Sequence, residues 1–270
     1  MDPNSHEAIL SFVRSMEAAS LEIAKRKPDC IIAPMFGAVP FIDVLNIIDE
    51  AFPNDKVEYV PASNKLHRVR DVLRGAFESV IRKHDTPEGA RFLSIDEVVS
   101  GNSLTRVYKQ FDAARVDYAN KKTVETFGAA TDFTKENIKA FRDSIVQRIA
   151  YNSIGITECG TRRASNRRNP EFQDLAQRGI VIPVDTECIV TMDRTEFFPC
   201  EYRMVEPKKG TPIYLPVVEK FDISPEYIDF LRIVAAMLGK DTDQVTVQNL
   251  VKIRESYKNV PEALRVYDGK

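Results

Sequence analysis

Apolar positions recur along this chain with two periods, and their order sketches an architecture. Ile9, Phe12, Val13, Met16, Ala19 and Ile23 share one face at helical spacing and predict a helix over residues 5–25. Residues 29–33 form a short apolar run suited to a buried strand, and Pro34-Met35-Phe36-Gly37-Ala38-Val39-Pro40 breaks it. Phe41, Val44, Leu45, Ile47 and Ile48 then make a helix that is apolar around most of its circumference, as a helix between layers must be. Residues 56–61 predict a second strand. An insert over residues 63–89 carries Val69, Val72, Leu73, Ala76, Phe77, Val80 and Ile81, which define a strongly amphipathic helix. Phe92 to Ile95 reads as a third strand. Leu104, Val107, Tyr108, Phe111, Ala114 and Tyr118 place a helix directly after the turn that follows it.

Further on, residues 123–130 read as a fourth strand ending at Thr131-Asp132, with a helix over 135–151 behind it. Residues 154–168 show no apolar period and predict an exposed loop. Residues 179–184 and 187–192 are β-rich runs expected as closing strands or a hairpin. Pro, Gly and Lys dominate 199–216, which reads as a linker or irregular edge. Tyr227, Leu231, Val234 and Leu238, then Val247, Leu250 and Val251, form two helical stripes suited to docking on the core or on another subunit. Alternating strands and helices predict an α/β fold, a central parallel sheet with right-handed crossovers and helices on both faces. The expected division is a core over 1–198, with its insert at 63–89, and a helical extension over 199–270.

Composition narrows the chemistry. Lys and Arg number 38 against 40 Asp and Glu over 270 residues, so no global field recruits nucleic acid or anionic lipid, and any basic surface is local. Cys30, Cys159, Cys188 and Cys200 lack C-x-x-C spacing, and with His6, His67 and His84 they make a poor zinc set. The opening residues show no signal-peptide pattern and the apolar runs are too short to span a bilayer, so a cytoplasmic protein without membrane contact is expected. No G-x-G-x-x-G follows a predicted strand, which disfavours a dinucleotide oxidoreductase.

Candidate chemistry concentrates in residues 91–104, R-F-L-S-I-D-E-V-V-S-G-N-S-L. Asp96 and Glu97 are adjacent carboxylates at the end of a predicted strand. Ser100, Gly101, Asn102 and Ser103 form a small hydroxyl-rich turn that opens onto a helix. Such a turn aims backbone N–H groups and the positive end of the helix dipole at one point, which suits a phosphate; alone, it is also compatible with an ordinary capped turn. The neighbouring carboxylates can accept hydrogen bonds from ribose hydroxyls.

In these residues the chain resembles the phosphoribosyl-pyrophosphate motif of type I phosphoribosyltransferases: a hydrophobic strand, two acids, two small apolar residues, then Thr/Ser-Gly-x-Thr/Ser. The resemblance implies that Asp96 and Glu97 hold the ribose hydroxyls and that Ser100, Gly101, Asn102 and Ser103 hold the 5′-phosphate. Two registers are open. With Asp96 and Glu97 as the acidic pair the loop is one residue short; anchored on Ser100-Gly101, Ile95 replaces the first acid and Val99 falls where purine-salvage members carry a catalytic Asp. Met35, Phe36 and Gly37 fall at the family's pyrophosphate loop. Phe36 stands where many members have a basic residue, so the charge comes from elsewhere or the loop does not bind pyrophosphate.

The family usually has a mobile cover where this chain has its insert. That implies a helix over the active-site end with Lys65 and Arg68 as cover residues, in a basic cluster that includes His67, Arg70 and Arg74. Phe36 and Phe133 are ring-stacking candidates for an acceptor base. The implied ligand is phosphoribosyl pyrophosphate or a nucleotide, with Mg2+ bound through the ligand and no direct metal site. The implied reaction transfers the phosphoribosyl group to a nitrogen acceptor. The alternative is a catalytically inactive nucleotide sensor or effector of the same fold, of the kind found in bacterial stress or defence systems. There Arg162, Arg163, Arg167 and Arg168 would meet a nucleic acid or protein partner, and a homo-oligomer is expected.

Overall fold

The computed structural model describes residues 5–35, 37–62, 69–128, 134–159, 168–191, 201–205, 215–220, 224–247 and 249–258. Five strands, β1 (Cys30–Pro34), β2 (Val57–Val60), β3 (Ala90–Val98), β4 (Ile149–Glu158) and β5 (Val181–Thr186), form one sheet in the order β2-β1-β3-β4-β5. Every pairing in it is parallel. The helices are α1 (His6–Arg26), α2 (Val39–Ile48), α3 (Val69–His84), α4 (Asn102–Phe127), α5 (Lys135–Arg148), α6 (Pro170–Gln177), α7 (Pro225–Met237) and α8 (Leu250–Lys258). Strands β6 (Glu201–Val205) and β7 (Leu215–Lys220) pair antiparallel with each other. Among the described residues, no helix is long and apolar enough to cross a membrane.

The strand period of two divides the core. From β3, Leu93 and Ile95 enter a layer with Phe12 of α1, Phe41 of α2 and Phe230 of α7. On the opposite face Phe92 meets Phe77 of α3, Phe111 of α4 and Ile145 of α5. Each face of the sheet is therefore covered, which is the usual condition for an all-parallel sheet. The two C-terminal helices belong to the first layer: Tyr227, Leu231 and Val234 of α7 and Ile253 of α8 are buried in it. There Tyr227 Oη donates to the buried carboxyl of Asp43 on α2. On α8, Lys252 Nζ donates to Asn54 O at 2.8 Å, beside the start of β2.

Several expectations are corrected. Residues 123–127 are not a strand, because α4 runs through them to Phe127; residues 129 and 130 of that expected strand lie outside the described residues. Thr123 and Thr126, β-branched residues that suggested extended chain, return their hydroxyls to Ala119 O at 2.7 Å and Lys122 O at 2.8 Å. The helix after 135 stops at Arg148, and residues 154–158 of the expected loop belong instead to β4, flanked by β3 and β5; residues 160–167 of that loop lie outside the described residues. Of the two runs expected as closing strands or a hairpin, the first is a strand, β5, which follows α6 and joins β4 in parallel, whereas Glu187 to Thr191 is not strand and Met192 lies outside the described residues. The stretch expected as a linker or irregular edge contains β6 and the first residues of β7.

The insert helix is also displaced from its expected place over the end of the sheet. Leu73, Phe77 and Ile81 pack α3 along the sheet face with Ile32 and Phe92, as a crossover between β2 and β3. Its last turn lies at the amino ends of the strands. Lys83 there pairs with Glu58, and Asp85 just beyond receives Arg148 Nε at 2.9 Å.

Candidate functional site

The order in which strands join the sheet reverses between β1 and β3: β2 lies on one side of β1, and β3, β4 and β5 follow on the other. The helix after β1 covers one face and the helix after β3 covers the other, which opens a crevice at the carboxyl ends of these two strands. Both loops carrying candidate chemistry end there. A methyl group placed on Gly37 would lie 3.1 Å from Asp96 Oδ1 and 3.9 Å from Glu97 Oε1, so the glycine lets the loop after β1 close on the acidic pair.

The acids lie inside β3, not beyond its end: Asp96 is paired with Gly155 and Glu97 with Ile156 across β4. The pleat sends their side chains to opposite faces. Asp96 shares the α4 face with Ser94 and Val98 and is 6% exposed; Glu97, half-buried, is the more accessible. Asp96 Oδ1 accepts the Glu97 N–H at 3.0 Å. Burial, followed by the like charge of Glu97, pushes the Asp96 carboxyl well above the usual carboxylate range; the Glu97 N–H and the charge of Arg106 oppose that shift. Beneath it, Ser94, Tyr151 and Ser153 bond to one another at 2.8–2.9 Å, which satisfies three buried hydroxyls at the centre of the sheet.

The turn after β3 is held from two sides. Gly101 caps α4 with φ 77°, and a side chain on it would meet the Phe172 ring at 2.6 Å, so only glycine fits. Gly101 O accepts Thr105 N at 3.0 Å and Thr105 Oγ1 at 2.8 Å; this closes the first turn of α4, ahead of which the N–H groups of Ser103 and Leu104 have no intrahelical acceptor. Asn169, which caps α6, accepts the N–H groups of Glu171 and Phe172 on Oδ1. Its Nδ2 reaches back to Ser100 O at 2.8 Å and Asn102 Oδ1 at 3.0 Å. Gly155 serves the same region from β4: a methyl there would stand 2.8 Å from Val98 Cγ2 and 3.1 Å from Leu104 Cδ1, so its absence lets the start of α4 sit close on the sheet.

Asp96, Glu97, Gly37 and the turn from Ser100 to Ser103 are thus brought to one crevice. Asn102 is exposed, Ser100 and Ser103 are half-buried, and Gly101 is buried. Met35 is 2% exposed and belongs to the core, with its N–H donated to Val60 O at 2.8 Å. Phe36, Lys65, Arg68, Phe133, Arg162, Arg163 and Arg167 lie outside the described residues; Arg168 is exposed. Among the described residues no cluster of three His, Cys, Asp or Glu is placed to hold a metal ion.

Three residues of this neighbourhood are absent from the sequence reading. Phe172 and Asn169 sit on α6, whose Asn-Pro start followed by Phe172 and Leu175 is a helix signal that could have been used. Arg106 is the third. Its Nη2 donates to Ala62 O, just past β2, at 3.2 Å and stands 3.5 Å from Ser103 Oγ. No local motif marks it, because Ala62, the acceptor that fixes its reach, is remote in sequence. Compared with protein-family models, curated proteins and solved structures, the chain matches none.

Proposed function

We propose that the crevice between β1 and β3 binds phosphoribosyl pyrophosphate or a nucleotide, and that the protein transfers the phosphoribosyl group to a nitrogen acceptor. The observation that carries this reading is the approach of Gly37 to the Asp96–Glu97 pair beside a helix N-terminus at the switch point of the sheet. Glu97 at the mouth accepts a ribose hydroxyl, and Asp96 behind it supplies the second acceptor once a donor or cation enters. The Ser100–Ser103 turn takes the 5′-phosphate with backbone N–H groups. In the transfer, the acceptor nitrogen forms a bond to the anomeric carbon while the carbon–oxygen bond to pyrophosphate breaks. Pyrophosphate leaves with the electron pair and the acceptor releases its proton to water. The protein's part is to orient the reactants, neutralise phosphate charge and exclude water.

Mg2+ fits as a companion of the ligand rather than a resident. Two carboxylates, with no larger cluster of metal ligands among the described residues, match an ion that prefers phosphate oxygens and retains its waters. Bound in that way, it offsets charge on the pyrophosphate.

A second reading is favoured by one observation: Asp96 is nearly sealed by the backbone at Gly37. A protein that senses a nucleotide and passes the signal to a partner needs no more access than Glu97 provides. Isothermal titration with phosphoribosyl pyrophosphate and Mg2+, repeated with nucleoside monophosphates, separates the two. Binding of both with pyrophosphate release supports transfer, monophosphate binding alone supports a sensor, and no binding of either rejects both.

A further inference from the structure

Strand β5 is an edge of the sheet, and α1 lies along it. Two hydroxyls fasten the helix there: Ser15 Oγ donates to Asp185 O at 2.8 Å, and Ser11 Oγ accepts the Glu187 N–H at 3.1 Å. Between helix and strand runs a groove of about 880 Å3, bounded on α1 by Glu7 and Glu22, a length of about 23 Å at 1.5 Å per residue. Its middle is apolar. Leu10 and Ile182 are half-buried, Ala18 and Pro183 are exposed, and Leu21 is 72% exposed, more than any other large hydrophobic side chain among the described residues. One end is acidic. The carboxylates of Glu7, Asp185 and Glu187 are exposed and have no hydrogen-bond or ion-pair partner among the described residues. The bond from Glu187 to Ser11, one helical turn beyond Glu7, brings two of them to the same end. Arg14 is the one cation among the described residues that line the groove. Glu22, at the other end, is already paired with Lys25 at 3.5 Å and Arg26 at 3.3 Å.

We propose that this groove docks a basic amphipathic helix of a partner protein, its apolar stripe on Leu10, Ala18 and Leu21 and its lysines or arginines over Glu7, Asp185 and Glu187. The assignment is independent of the phosphoribosyl reading. A helix of about four turns matches the length of the groove and can set apolar residues at i, i+3, i+4 and i+7 along it. An added strand is the poorer occupant, because Pro183 offers no N–H at the middle of the edge and Asp185 O is already taken by Ser15. A second copy of this chain would bring the same excess of carboxylates against itself, which disfavours that pairing. The chain as a whole is near charge balance, so the acidic excess belongs to this face and not to a global field.

The test is fluorescence anisotropy of a dye-labelled Leu/Lys peptide of about 15 residues, patterned as an amphipathic helix, titrated with the full chain. The controls are a scrambled peptide of the same composition and a Leu/Glu peptide of the same pattern. The variants are Leu21→Asp, Glu7→Gln combined with Glu187→Gln, and Val124→Asp on α4, a similarly exposed position remote from the groove lining. Thermal melts establish that each is folded. The Leu/Lys helix should bind wild type at least about tenfold more tightly than either control. Leu21→Asp should weaken it by about tenfold or more; the double Gln variant should weaken it by about threefold and flatten its salt dependence. Val124→Asp should leave it unchanged. No binding to wild type, equal binding of the scrambled peptide, or full affinity in Leu21→Asp would overturn the assignment. So would a dimer of wild type in sedimentation that Leu21→Asp dissolves, since the groove would then belong to a second copy.

Discussion

Gly37 and Asp96 face each other so closely that a methyl group on the glycine would stand 3.1 Å from the carboxylate oxygen Oδ1. That oxygen is buried and held by the Glu97 N–H, so it has little freedom to retreat. Gly37→Ala should therefore destabilise the protein by about 1–3 kcal/mol, the usual cost of overpacking. Urea denaturation measures it, and adding Asp96→Ala should return much of the loss. Unchanged stability in Gly37→Ala alone would show that the loop yields without cost.

Asp96→Asn separates stability from binding. The amide still accepts the Glu97 N–H but removes a carboxyl whose charge is opposed by burial and by Glu97. The folded protein should be at least as stable as wild type at neutral pH. Affinity for a phosphoribosyl ligand should fall about tenfold, or roughly 1.4 kcal/mol, as a charged acceptor is lost. Full affinity in this variant would remove Asp96 from the ribose site.

At the turn, the sign of one charge is the test. Asn102→Asp keeps the oxygen that accepts Asn169 Nδ2, so the turn should hold its shape. A carboxylate there repels a phosphate, and ligand-induced stabilisation in a thermal melt should vanish. Ser103→Ala removes one hydroxyl and should weaken binding by only about tenfold. Equal stabilisation of wild type and Asn102→Asp would place the phosphate elsewhere.

Gly101→Ala strains the same turn in two ways. Its φ of 77° disfavours an L side chain by about 1–2 kcal/mol, and the new methyl overlaps Phe172. Gly101→Ala combined with Phe172→Ala should relieve only the second part, which a double-mutant cycle reads as favourable coupling. Strict additivity would contradict the contact.

The docking of α7 gives a pH dependence. Asp43 is buried against Tyr227, its Oδ1 has no hydrogen-bond partner among the described residues, and burial pushes its pKa up to about 7 against an ordinary 3.8. Between those values the folded chain keeps the proton and the unfolded chain loses it, so stability falls as pH rises, by up to about 1.4 kcal/mol per unit; outside that window the contribution is flat. Asp43→Asn still accepts from Tyr227 and should abolish this contribution. Urea midpoints of the two proteins at pH 5 and pH 8 give the difference. Identical pH slopes would show that burial does not raise the Asp43 pKa above its unfolded value.

Where local pattern and burial agreed, the elements were readable from residues alone. α1, β1, α2, β2, α3, β3 and the start of α4 follow directly from apolar spacing, and so does the meeting of the acids with the turn. β4 was unreadable for a physical reason. Its Ser153 is made buriable by Tyr151 two residues before it and by Ser94, a strand neighbour far away in sequence, and Thr157 returns its hydroxyl to Gly155 O. A strand whose polar groups are satisfied by tertiary partners looks like a loop until those partners are known. Gly155 reinforced that impression, although its role is to admit Leu104. Arg106 was hidden similarly, since its meaning depends on Ala62 and Asp96, which only the folded sheet brings near.

The double use of Asn169 limits what can begin α6. A helix start is ordinarily tolerant: Ser, Thr, Asp and Asn all offer an oxygen to the first free N–H groups. At position 169 the oxygen is already committed to Glu171 and Phe172, and the group that reaches Ser100 and Asn102 is an amide donor. Of those four residues, only asparagine supplies both from one side chain. Aspartate would keep the helix start and set a negative oxygen against two acceptors; serine or threonine would keep it and leave the turn unheld. The residue that begins one helix therefore also secures the turn that begins another.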